Sequence, residues 1–141
     1  MERAAIRLAV AFCLAAAPGA VHAQQRMQPG LWEIEMTMQG GAVDGQRFAS
    51  KKCLSAGEVA ATAGSAAEIR AAMEQTSDGC TIGDVTAQGD RVSFRQTCGP
   101  VEQAAEFFYR GTTMDGRISM SMAGKPSGTI VQQGRLVGPC S

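Results

Sequence analysis

A chain of 141 residues with 13 basic and 13 acidic side chains carries no net charge at neutral pH. Nothing in that balance attracts a polyanion, so nucleic acid is not an expected partner. The length suits one domain with a core of its own, the 17 glycines point to many turns, and a single histidine leaves little for acid–base or metal chemistry.

The first 23 residues read as a secretory signal. Arg3 and Arg7 charge the n-region, Leu8 to Ala17 form the apolar stretch, Pro18-Gly19 breaks it, and Val21-His22-Ala23 makes a small-residue cleavage site before Gln24. The apolar stretch is about half of the roughly 20 residues that span a bilayer, so no stable membrane anchor is expected. Cys13 follows Phe12, where a lipobox has a small residue, which favours a soluble exported protein over a lipoprotein. Cleavage removes Arg3, Arg7, Glu2 and His22. It leaves a single domain, 24–141, of 118 residues with 11 basic and 12 acidic side chains, a net charge of −1 and no histidine. Cys53, Cys80, Cys98 and Cys140 remain. An even cysteine count in a small exported domain reads as a disulfide framework in an oxidising compartment, most simply a bacterial periplasm.

In the mature chain, residues 31–38 alternate, with Trp32, Ile34, Met36 and Met38 on one face and Glu33, Glu35 and Thr37 on the other, as in a half-buried strand. Gly40-Gly41 and Asp44-Gly45 predict a turn, and a second strand covers 46–53. Lys51-Lys52, the only adjacent basic pair, reads as a solvated strand end. Two capping boxes follow, Ser55-x-x-Glu58 and Ser65-x-x-Glu68. Val59, Ala63, Ala66, Ile69 and Met73 lie on one helical face, which predicts either two short helices, 56–63 and 66–75, or one helix kinked at Gly64-Ser65. Strands return at 80–87 and 91–98 around Gln88-Gly89-Asp90, with Val92, Phe94, Gln96 and Cys98 on one face. Residues 104–112 carry Phe107, Phe108 and Tyr109. A turn is expected at Met114-Asp115-Gly116, then a strand with Ile118, Met120 and Met122 inward, a turn at Gly124-Lys125-Pro126, and a last strand over 128–137. The expected fold is α+β, mainly β: an antiparallel meander of about seven strands, as a curved sheet or small barrel, with a helical insertion at 56–75.

Four cysteines allow three connectivities. A hairpin centred on Gly89 sets Cys80 opposite Cys98 and leaves Cys53 to join Cys140, whereas a two-residue turn at Gly89-Asp90 would slip the register by one and separate the first pair.

Pro29-Gly30-Leu31-Trp32-Glu33, Cys53 ahead of a helical segment, the Cys80 and Cys98 pair, and the ending Gly134-Arg135-Leu136-Val137-Gly138-Pro139-Cys140 together resemble one family. It is the family of exported Gram-negative bacterial proteins known as domain of unknown function 3617, and the resemblance runs from Met27 to Cys140. It implies export and a small β-rich, disulfide-bonded fold. It implies no activity and no catalytic residues.

Three chemistries compete for this domain. Glu33 with Glu35, and Glu102 with Glu106, are carboxylate pairs; the first two lie about 7 Å apart along one strand face, a spacing that could serve a glycan-active enzyme. Their alternation with apolar residues reads more simply as a solvent face. Met36-Thr37-Met38 and Met120-Ser121-Met122 offer soft thioethers suited to a Cu(I)-binding protein, and equally suit an irregular core. The third reading makes Trp32, Met36, Met38, Phe94, Phe107, Met120 and Met122 the lining of a pocket for an apolar ligand, or plain core, since both give the same inward pattern. The expectation is a non-enzymatic periplasmic protein, without catalytic residues, metal or cofactor, that binds an apolar small molecule or an envelope protein.

Overall fold

The computed structural model describes residues 25–141; the expected signal segment, with Cys13 and His22, lies outside them. Seven strands form one antiparallel sheet: β1 (Gly30–Gln39), β2 (Arg47–Leu54), β3 (Cys80–Gln88), β4 (Arg91–Cys98), β5 (Val101–Tyr109), β6 (Thr113–Met122) and β7 (Lys125–Gly138). Their spatial order is β2-β1-β7-β6-β5-β4-β3. β3 to β7 is the expected meander. β7 then pairs with β1, and β1 with β2. Two helices, α1 (Ala56–Ala63) and α2 (Ala66–Thr76), join β2 to β3. Those strands are opposite edges of the sheet, so the helical connection must cross it. It does so over one face, where Val59, Ala63 and Ile69 pack with Trp32, Val92, Ala105, Phe107, Tyr109 and Met114. The sheet stays open rather than closing into a barrel, because α1 packs on β2 and α2 on β3, filling the gap the edges would have to cross.

The helices start where the sequence caps them. The Ser55 backbone N–H donates to Glu58 Oε2 at 2.9 Å, and the Glu58 N–H donates back to Ser55 Oγ at 3.3 Å. Ser65 and Glu68 repeat the exchange at 2.8 and 3.2 Å. The break between the helices falls at Gly64, where an added Cβ would come within 2.4 Å of the Ala60 carbonyl oxygen. Arg26 ties this junction to the sheet. Its Nη1 donates to the Gly64 carbonyl at 2.7 Å and its Nε to the Gly89 carbonyl at 2.6 Å. The neighbouring Met27 is buried to 1% exposure.

Two sequence expectations are corrected. Residues 114–116 are not a turn. The chain reverses at Arg110–Thr112, and Asp115 and Gly116 lie inside β6, opposite Phe108 and Phe107. Gly116 is there for space: a Cβ on it would stand 2.1 Å from the Phe107 ring. Glycine within a strand often marks such a close approach rather than a bend.

The hairpin between β3 and β4 has the two-residue turn, with Gln88 facing Arg91 and Ala87 facing Val92. Carried on unbroken, that register would set Cys80 across from Gly99. A bulge between Gly83 and Thr86 takes up one extra residue, with Asp84 at φ 53°, and beyond it Ile82 faces Gln96 and Cys80 faces Cys98. The bulge also turns Ile82 and Cys80 to the inner face. Cys80 is bonded to Cys98, and Cys53 to Cys140, with Cα–Cα distances of 4.3 and 5.5 Å.

Candidate functional site

The two faces of the sheet differ in kind. On the outer face every strand carboxylate has a basic neighbour or solvent. Glu33 accepts from Arg135 Nη2 at 2.7 Å and Nε at 3.1 Å, with Lys51 Nζ 3.6 Å away on its other side. Arg95 Nη1 donates to Glu102 at 2.6 Å, Arg91 Nε donates to Glu106 at 2.7 Å, and Arg110 donates to Asp115 at 2.9 Å. The Arg135 hydrogen bonds, then its charge, hold the Glu33 carboxyl below its ordinary range. A general acid acting on a glycan needs the opposite, a carboxyl raised by burial. Three of the four expected carboxylates, Glu33, Glu102 and Glu106, therefore sit in cross-strand ion pairs on a solvated surface, and Glu35 is exposed beside them.

The inner face carries no strand carboxylate. Cross-strand partners share a face. The register thus places Trp32, Leu136, Met114, Tyr109, Phe107, Val92 and Phe94 on that side, beneath the helices. Phe94, Phe107 and Tyr109 stack in a row across β4 and β5, with ring centroids 6.4 and 5.8 Å apart. Trp32 is wholly buried, and its Nε1–H donates to the Gln28 carbonyl at 2.9 Å. Burial pushes the Tyr109 phenol up, so it stays neutral.

Between this face and the helices lies an open cavity of about 340 Å³. Ala61, Thr62, Ile69 and Met73 line it from the helices, and Met27 from the N-terminal segment. Ile34, Leu54, Phe94, Phe107, Tyr109 and Met114 line it from the sheet. Its polar contributors are Thr62, Gln132, Lys52 and the Tyr109 hydroxyl, and among the described residues that line it Lys52 is the charged one. The volume falls at the low end of the range for small-molecule sites, and the lining is apolar with a few polar groups, as such sites are.

Of the residues singled out in the sequence, Phe94 and Phe107 line this cavity, and Trp32 is packed solid behind it. The four methionines share the face but not the core. Met36, Met38 and Met120 are half-buried and Met122 is 50% exposed; Phe48, the register partner of Met36 on the edge strand, is 51% exposed. Alternation assigned the right side of the sheet, but the buried core on that side is made by Trp32, Val92, Ala105, Phe107, Tyr109 and Met114 with the helices, and these four methionines lie outside it. The two Met-x-Met pairs are also kept apart by β7, which lies between β1 and β6. Met36 Sδ accepts from Gln132 Nε2 at 3.3 Å. Among the described residues no group of three or more His, Cys, Asp or Glu side chains could hold a metal ion.

Lys52 and Gln132 were not legible as site residues. Lys52 sits in an exposed basic pair, and only its register partner, Trp32, reveals that it faces inward. The one available signal was the alternation Phe48, Ser50, Lys52, Leu54, which puts the lysine on the apolar side of β2.

Among the described residues no helix is long and apolar enough to cross a membrane. A family model described as a protein of unknown function (DUF3617) matches residues 27–140. No curated protein and no solved structure matches the chain.

Proposed function

The chain belongs to the DUF3617 family, and since that description names no activity we propose, from its own residues, that it is an exported, periplasmic, non-enzymatic protein that binds an apolar small molecule between its helices and its sheet. The observation that carries this reading is the open, apolar cavity of about 340 Å³. Ile34, Met73, Phe94 and Phe107 give it the apolar lining with few polar groups that a small-molecule site has. Two bonded cysteine pairs support an oxidising compartment, and the signal-like first 23 residues support export.

The experiment uses the mature protein purified from periplasm. Native mass spectrometry should find it starting at Gln24 and carrying a retained apolar ligand. N-phenyl-1-naphthylamine, a neutral probe that fluoresces in apolar surroundings, should bind it with one site. Met73→Trp fills the cavity from α2 and should weaken probe binding at least tenfold while the melting transition persists. A wild type that binds neither ligand nor probe would overturn the reading. A cytoplasmic protein retaining its first 23 residues would overturn the location.

A further inference from the structure

The charge at the cavity mouth narrows the ligand class, and this step rests on the apolar-binding reading above. Lys52 stands directly across from Trp32 on the inner face, lines the cavity, and leaves its side chain 60% exposed. The carboxylates of β1 to β7 either sit on the outer face or, for Asp84, in the bulge facing Arg95. One helix carboxylate, Glu58, reaches the mouth, with Oε1 3.4 Å from Lys52 Nζ. Its other oxygen, Oε2, is held by the Ser55 backbone N–H in the capping box. Glu58 therefore belongs to the helix start, and an ammonium with three donors keeps capacity for a second anion. The cavity volume, near the lower limit for small-molecule sites, suits one chain rather than two.

We propose that the ligand is a single-chain amphiphile of fatty-acid type, its chain against Ile34, Met73, Phe94 and Phe107 and its carboxylate at Lys52. Glu58 then acts against the ligand's head group, as a local negative charge that lowers the preference for an anion. Gln132, whose amide donates to Met36 Sδ, lines the same cavity but belongs to a different row of the sheet from Lys52.

The test compares laurate with dodecan-1-ol, which share a chain and differ in the head, by displacement of N-phenyl-1-naphthylamine from the disulfide-intact protein. A partly exposed ion pair is worth up to about 1 kcal/mol, so laurate should bind about fivefold tighter than the alcohol in wild type. In Lys52→Gln that ratio should fall to about one. In Glu58→Gln it should rise, and α1 should persist, because glutamine can keep the reciprocal cap. Raising the salt concentration should shrink the ratio in wild type and leave it flat in Lys52→Gln. Equal binding of laurate and the alcohol by wild type would overturn the carboxylate assignment while leaving the apolar reading intact. A laurate preference that survives Lys52→Gln would overturn the role of Lys52. Failure of the probe itself to bind would overturn both readings.

Discussion

Gly116 and Phe107 are fitted to each other across β5 and β6, and the cavity depends on that fit. A Cβ at residue 116 would meet the Phe107 ring at 2.1 Å, and the ring cannot retreat without entering the cavity it lines. Gly116→Ala should therefore cost about 1–3 kcal/mol by overpacking. It should also weaken N-phenyl-1-naphthylamine binding; unchanged stability in urea unfolding would show that the sheet yields instead. Apolar side chains differ in cost by how far they are covered. Ile69 is 2% exposed and Met122 50%. Ile69→Ala should accordingly cost about 2–5 kcal/mol, and Met122→Ala within about 0.5 kcal/mol of nothing. Comparable losses in the two would mean that something covers Met122.

The helical connection is held by its two capping boxes and is their most sensitive reporter. Removing the Ser65 hydroxyl in Ser65→Ala should cost about 1 kcal/mol. Backbone hydrogen bonds from Ser55 and Ser65 are the first cause holding the Glu58 and Glu68 carboxyls below their ordinary value of 4.5. A carboxylate depressed in the folded state contributes stability that is present above the unfolded pKa and lost as pH falls through the folded one. The melting temperature should therefore hold from pH 7 down to the ordinary value and decline below it, with Glu33 adding to the same slope. Glu68→Gln should flatten that decline; a slope indifferent to it would assign the acid sensitivity elsewhere. The bulge in β3 is the other element on which much depends. A centred hairpin and a two-residue turn with one extra residue give the same cysteine pairing, so the sequence yielded the correct bond through the wrong register.

Both disulfides pin the sheet near its edges, on opposite sides of the molecule. Cys80–Cys98 closes a short hairpin, with a sequence separation of 18, and Cys53–Cys140 spans 87 residues and fastens the C-terminus to β2. Loop-closure entropy makes the second bond worth about 4–5 kcal/mol and the first about 3. Replacing Cys53 and Cys140 by serine should lower stability more than the same change at Cys80 and Cys98, as read from urea midpoints of the two double variants. The reverse order would mean that strain or residual structure outweighs chain entropy. If the cavity lies between two edges held at fixed separation, the Cys53/Cys140 variant should also bind the apolar probe more weakly.

Local chemistry was sufficient for most of the strands, the capped helices and the apolar face, though not for the start of β6 or the register of β3. Alternation at 31–38 and two Ser-x-x-Glu boxes each act within a few residues, so the chain itself carries them. Alternation also named Phe94 and Phe107 as inward, though it could not say whether they met solid core or open space. That was decided by the path of the helices. Because β2 and β3 are opposite edges, α1 and α2 must cross the sheet, and they are too short to cover all of it. Part of the face became the buried core around Trp32, Phe107 and Val92, part lines a cavity, and Met122 on β6 and Phe48 on the edge strand β2 stayed exposed. The inward aim of Lys52 was settled the same way, by pairing with Trp32 across a strand some twenty residues distant in sequence. Side-chain period is a property of one strand; which half of a face is covered is a property of the connection that passes over it.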